Sequence, residues 1–329
     1  MHPPSSNLGK MLYRVTGIAA VGVLLSGCLF NPFARDAQPA AEPVTEIVEI
    51  AGTRQVAVVL SNDLPEFVAI ADELNRRFSK DITVHSLGGK PGNAERVLAE
   101  IDAAGADQLV AVGLLAAKIG RERQGRPMVF CQTYNYKEHG LVSANSKGVG
   151  LLPPFDKQFE TWHELDPKIK RIGLLSGPDK DELLVELRQA GDRRGIGVIS
   201  RAVSSDKEAL LEFKRMMSNI QGLIILPDNR ILSPRVLREI MSLGAKRRTQ
   251  IVVYAPGLLN LGALMSFTGR PDDIANAVVK RLESVQADGR IPGPGLIPLE
   301  EIRVQVNPAM ADHLSLIIPE PLAGSTGNR

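Results

Sequence analysis

A set of polar residues follows short apolar runs, where a folded chain could turn them toward a ligand. Ser61, Asn62 and Asp63 close one run and open a helix. The free N–H groups of that helix start could hold a carboxylate or phosphate, or the three residues could simply cap it. Gly113 ends another run, which suits close backbone approach to a ligand or a tight turn. Tyr134 and Asn135 follow a third run and could supply an aromatic wall and an amide, or lie on a surface loop. Asp228 follows Gly222–Leu226 (GLIIL) after Pro227. A carboxylate there could hold an ammonium group through a charge-assisted hydrogen bond, or cap a loop. Tyr254 ends the next run, and Ser176 ends one before a helix. Catalytic patterns are missing from the sequence. The 5 histidines are scattered, without metal-ligand spacing. There is no G-x-S-x-G elbow and no phosphate-binding Walker loop. Gly195-Ile196-Gly197 lacks a third glycine and precedes a strand, unlike a dinucleotide fingerprint. The expectation is a binding protein with no catalytic residue, metal or cofactor.

The elements that must carry these residues alternate. Gln55–Leu60, Ile82–Leu87, Leu109–Val112 and Met128–Cys131 read as strands, separated by helical spacing at Phe67-Ile70-Ala71-Leu74-Phe78, at Asn93–Ala104 and at Leu114–Arg123. The alternation restarts with a helix at Phe155–Leu165. Strands follow at Arg171–Leu175, Gly197–Val203, Gly222–Leu226, Ile251–Tyr254, Gly262–Phe267 and Ile302–Val306. Val-rich runs of this length suit strands buried on both faces of parallel sheets. Two such series predict an α/β protein of two Rossmann-like lobes. Their ligand would sit beyond the carboxyl ends of the strands.

The chain has 329 residues, ample for about two ordinary domains. Lys10 and Arg14 precede the apolar run Val15–Leu25. That run is too short to span a bilayer, which takes about 20 residues, but has the layout of a secretory signal. Its exit, Leu25-Ser26-Gly27-Cys28, resembles the lipobox of bacterial lipoproteins, which implies lipidation at Cys28 and loss of residues 1–27. Removing Lys10 and Arg14 would leave 37 basic residues against 37 acidic. That balance speaks against a nucleic-acid partner. Residues 28–53, rich in Pro, Ala and Glu, read as anchor and linker. Leu29, in place of the Asp that retains enteric lipoproteins in the inner membrane, favours an outer-membrane address if the organism is Gram-negative. Cys131, in an apolar run, reads as a buried small hydrophobe.

Further motifs carry a family resemblance over roughly residues 54–319. They are Arg171-Ile172-Gly173-Leu174-Leu175, Leu226-Pro227-Asp228-Asn229, Gly262-Ala263-Leu264, Arg290-Ile291-Pro292 and Val304-Gln305-Val306-Asn307-Pro308-Ala309-Met310-Ala311. In order and spacing they resemble substrate-binding lipoproteins of ABC transporters, the group that includes tryptophan- and other aromatic-amino-acid-binding proteins. The resemblance implies the type I periplasmic-binding-protein fold, with three inter-lobe crossings, placed near residues 150, 257 and 292. The lobes would be 54–149 plus 258–290 and 150–257 plus 291–319, with 320–329 a tail. It also implies a small polar or amino-acid-like ligand, a permease partner, ligand-facing positions at Ser176 and Asp228, and a place on the periplasmic face of a membrane. The turns at Gly113-Leu114-Leu115, Gln132-Thr133-Tyr134-Asn135 and Ser176-Gly177-Pro178 depart from the family's pattern. With Leu29 they point to an alternative: an envelope interaction lipoprotein that reuses the scaffold without transport.

Overall fold

The structure is a computed structural model that describes residues 55–78, 82–122, 125–178 and 180–324. The signal, Cys28 and linker expectations lie outside these residues. From the start the chain runs β1 (Val56–Leu60), α1 (Pro65–Phe78), β2 (Ile82–Ser86), α2 (Ala94–Ala103), β3 (Gln108–Val112), α3 (Leu114–Glu122), β4 (Met128–Cys131) and β5 (Ser146–Val149). It continues through α4 (Phe155–Leu165), β6 (Arg171–Ser176), α5 (Asp181–Arg193), β7 (Gly197–Ala202), α6 (Asp206–Met216), β8 (Gly222–Ile225), α7 (Pro234–Arg247) and β9 (Gln250–Val253). It ends with β10 (Met265–Thr268), α8 (Pro271–Glu283), β11 (Leu296–Ile297), β12 (Arg303–Val306), α9 (Pro308–Leu314) and α10 (Glu320–Ala323).

Two 6-stranded sheets result, ordered β11-β5-β4-β3-β1-β2 and β12-β10-β9-β8-β6-β7. Each is covered on both faces, as the unbroken apolar strands require. In β1, Val56, Val58 and Leu60 join the core against α1 and α8, while Ala57 and Val59 face the core with α2 and α3. In the second sheet, Ile172 and Leu174 pack with Phe159, Trp162 and Leu187, and Leu175, Leu223 and Ile225 pack with Phe213, Val236 and Ile240. The edge strands β2 and β7 are only partly buried.

Several features differ from the sequence reading. At the end of the chain, residues 320–323, expected as part of a tail, form α10 and bury Leu322 in the core of the second lobe. β10 belongs to the second sheet, paired with β9, so the second crossing falls between Thr268 and Pro271 rather than near 257. Pro256–Leu261, where that crossing was expected, forms a 3-10 turn. β11 pairs with β5 of the first sheet, which moves the third crossing from near 292 to between Ile297 and Arg303. β12 then re-enters the second lobe at the end where β10 left it, pairing Thr268 with Arg303, and therefore runs antiparallel in an otherwise parallel sheet.

Close packing sets two local tests. The Trp162 ring lies over Gly222, where a Cβ would collide with it, and its Nε1 donates to Gln250 Oε1 at 2.5 Å. Gly222→Ala is expected to cost about 1–3 kcal/mol through overpacking and to lower the melting temperature by several degrees. Gly257→Ala, with nothing within 4 Å of the new Cβ, should leave it unchanged. Cys131 is fully buried, and burial pushes its thiol up to about 12. Peptide mapping after alkylation near neutral pH should find Cys131 unlabelled in the native protein and labelled after denaturation.

Candidate functional site

The carboxyl ends of the strands bring the sequence-selected residues into two different settings. In the first, Ser61, Asn62 and Gly113 serve the first lobe itself. The Ser61 N–H donates to the Val112 carbonyl at 2.9 Å, and its hydroxyl accepts from the Ala116 N–H at 3.0 Å, capping the first turn of α3. Gly113 stands at φ +89, and a Cβ there would lie 2.6 Å from Ser61 Oγ. Asn62 Oδ1 accepts from the Leu64 N–H at 3.3 Å, just ahead of α1. In the second lobe the Tyr254 hydroxyl donates to Gln158 Oε1 at 2.7 Å and is buried. Ser176 Oγ is buried without a partner.

The second setting joins the lobes. After β4 the chain turns at Gln132, with φ 55 in the left-handed region, and leads an arm toward the second lobe. The Tyr134 ring packs against that lobe's core. Asn135 Nδ2 donates to Asp228 Oδ1 at 3.2 Å, and Asn135 Oδ1 accepts from Lys180 Nζ at 3.3 Å. Lys137 pairs with Glu182 at 2.5 Å. Glu138 accepts from Lys180 and lies 3.4 Å from Arg230 Nη2. Lys180 also sits 4.5 Å from the centre of the Tyr134 ring, within cation–π reach.

Asp228 anchors this arrangement. Its side chain is 0% exposed and receives Arg230 Nε at 2.8 Å, Arg230 Nη2 at 2.6 Å and the Arg230 backbone N–H at 3.1 Å. Gly177 makes room for the pair, since a Cβ there would lie 2.6 Å from Arg230 Nη2 and 2.7 Å from Asp228 Oδ2. Burial opposes the Asp228 charge, but the Arg230 and Asn135 hydrogen bonds outweigh it and hold the carboxyl below its usual range. Glu138 behaves alike: burial opposes its charge, and Lys180 and the backbone bond overcome it. Tyr134 is pushed upward by burial and by the nearby Asp228 and Glu138 charges, so it stays a neutral phenol.

Beside the arm lies a cavity of about 540 Å³, a size suited to a small organic molecule. Its walls come from the arm (Thr133 to Glu138), from the first crossing (Gly150 to Pro153), from Leu296 and Pro298 at the third, and from Phe155 and α5. Of the residues singled out in the sequence, Tyr134 lines it; Asp228 and Asn135 instead lock the lobes together beside it. Lys137, Glu138, Lys180, Glu182, Glu186 and Arg230 escaped the sequence reading. Arg230, two residues after Asp228, was the readable signal: a basic residue beside a strand-end acid marks a local pair. Among the described residues, no group of three His, Cys, Asp or Glu is placed to hold a metal ion.

Comparison by sequence finds no matching family model and no matching curated protein. Comparison by structure finds the fold. The chain is similar to an ABC domain from Streptococcus pneumonia solved with L-Trp, at 20% identity and a TM-score of 0.60 over 84% of this chain and 99% of that one. It is similar to a conserved domain protein from Vibrio cholerae, at 18% identity and a TM-score of 0.57 over 84% and 99%. It also resembles the ligand-free, open form of a substrate binding protein with adhesive properties from Clostridium difficile, at 14% identity and a TM-score of 0.62 over 83% and 98%. The two-lobe α/β architecture is the type I periplasmic-binding-protein fold.

The arm predicts a measurable closure equilibrium. Asn135→Ala removes two hydrogen bonds across the crevice and Glu138→Gln removes the charge that Lys180 and Arg230 face; a loss of at least about 1 kcal/mol in each case multiplies the open-to-closed ratio about fivefold or more. Small-angle scattering should show a larger radius of gyration for each variant than for the parent. Glu138 meets its cations on the other lobe and titrates below its usual value, whereas Asp228 is paired with Arg230 of its own lobe and reaches across only through the Asn135 bond. The Glu138 contribution to closure is therefore complete above about pH 4–5, the ordinary carboxylate range, and is lost as the pH falls through its lowered value. The parent should keep one radius from neutral pH down to that range and expand only in stronger acid.

Proposed function

We propose that this chain is an extracytoplasmic solute-binding protein that captures a small organic molecule between its lobes and delivers it to an ABC permease. The observation that carries this reading is the cavity itself, walled by both lobes and by two of the segments that cross between them. A solute held there touches both halves, so it can favour the closed arrangement over the open one, the requirement for ligand-driven closure. The similar fold of a protein solved with L-Trp supports the same reading. Cys28 would tether the protein through its lipid on the periplasmic face of a bacterial membrane. The outer-membrane address that Leu29 favours, if the organism is Gram-negative, would instead suit the reading below, since a permease lies in the inner membrane.

A second reading, an envelope interaction lipoprotein without transport, is favoured by Leu29, by the altered turns and by a structural observation: Asp228, Glu138, Lys180 and Arg230 are already paired within the chain.

A melting screen of the full chain against amino acids, peptides, nucleosides, amines and small anions separates the two. Ligand at about 100 times its dissociation constant should stabilise by about 2.7 kcal/mol, a rise of several degrees for a protein of this size. A flat response across the library would overturn solute capture and favour the envelope reading.

A further inference from the structure

The cavity wall carries an unbalanced charge. Its ionisable side chains besides the tyrosines are Lys137, Lys180, Glu138, Glu182 and Glu186. Both lysines are committed, Lys137 to Glu182 and Lys180 to Glu138. Glu186 has no ion pair or hydrogen bond among the described residues. The cation nearest in effect, Arg193, is held by Asp156 through two bonds of 2.7 and 2.6 Å. Glu186 lies on an exposed face of α5, where partial desolvation raises its carboxyl, Asp156 adds repulsion, and Arg193 pulls it back only in part.

We propose that the cavity takes a monocationic amine with an apolar body, its ammonium against Glu186, in preference to a zwitterionic amino acid. The proposal rests on the solute-binding reading and narrows it. An ammonium would supply the counter-charge that Glu186 lacks. A ligand carboxylate would meet two lysines that each already pair with a wall glutamate, and would face three glutamates in all. The remaining wall suits a hydrocarbon or aromatic body: Leu151, Leu152, Phe155, Leu183 and Leu296 are apolar. Tyr134 also lines the cavity and adds an aromatic surface to that wall.

One indole body in three charge states tests this. Tryptamine, L-tryptophan and indole-3-propionate are titrated calorimetrically into the full chain and into its Glu186→Gln variant. Tryptamine is expected to bind at least about tenfold tighter than either of the others, a difference of 1.4 kcal/mol. Glu186→Gln should remove that advantage while leaving the melting temperature of the unliganded protein unchanged, because Glu186 is an exposed helix residue. Tighter binding of L-tryptophan or indole-3-propionate overturns the proposal, as does a tryptamine affinity that Glu186→Gln does not alter. If all three fail while a neutral solute raises the melting temperature, the charge assignment is wrong and solute capture stands. If no compound of any charge raises it, both readings fall.

Discussion

The meeting of the two lobes depends on one buried carboxylate. Asp228 lies three residues past the apolar strand β8, and its side chain is buried with nowhere solvated to go. A lone buried charge would cost several kcal/mol, so the fold must supply a partner. Arg230 does so from two residues away, with both prongs of its guanidinium, and the missing side chain at Gly177 lets the pair lie flat against the neighbouring strand end. A pair of this kind adds little net stability, but removing one member is costly. Its contribution here is geometric. It fixes Asp228 Oδ1 where the Asn135 amide can reach it from the other lobe.

The arm after β4 uses that fixed point. Gln132 adopts a left-handed backbone that an L side chain tolerates at some cost, and Thr133 Oγ1 steadies the turn by donating to the Cys131 carbonyl at 3.2 Å. Beyond the turn Tyr134 buries its ring in the partner lobe, and Asn135 and Glu138 meet the charges around Asp228. The same arm forms one wall of the cavity. Closure and the shape of the cavity are thus set by one segment, and a change in either reaches the other without a long-range pathway.

How much of this the sequence could disclose follows from what each residue packs against. β1, β3 and β4 are fully buried Val-rich or apolar strands and announce themselves. β5, Ser-Lys-Gly-Val, does not, because at Gly148 the Phe130 ring and Leu296 occupy the space a side chain would take. β11 has only 2 residues and exists through its pairing with β5. The crossings were misplaced for a related reason. β10 follows a turn that looks like a lobe boundary, and only its pairing with β9 assigns it to the second sheet. At the site, Asp228 is visible as an acid past a strand end with Arg230 as a local partner two residues on, but the reach of Asn135 to it from the other lobe is a tertiary fact. Glu182, Leu183 and Glu186 read as ordinary positions on an amphipathic helix until the arm is laid across them.

A cleft that its own side chains can hold shut changes what a ligand must accomplish. If the closed form is already populated, a ligand's apparent affinity is not reduced by the work of closing. The ligand can then shift the equilibrium only by what it adds to the closed form alone. Release demands the reverse, and the contacts allow it. Lys137 and Glu182 are 57% and 87% exposed, so their pair is screened and contributes little. Asp228 and Arg230 belong to the same lobe and stay together when the lobes part. What must break are the two Asn135 bonds, to Asp228 and Lys180, the contacts of Glu138 with Lys180 and Arg230, and the seat of the Tyr134 ring. The most expensive charge in the crevice is therefore neutralised in both states, which leaves the opening motion only modest contacts to undo.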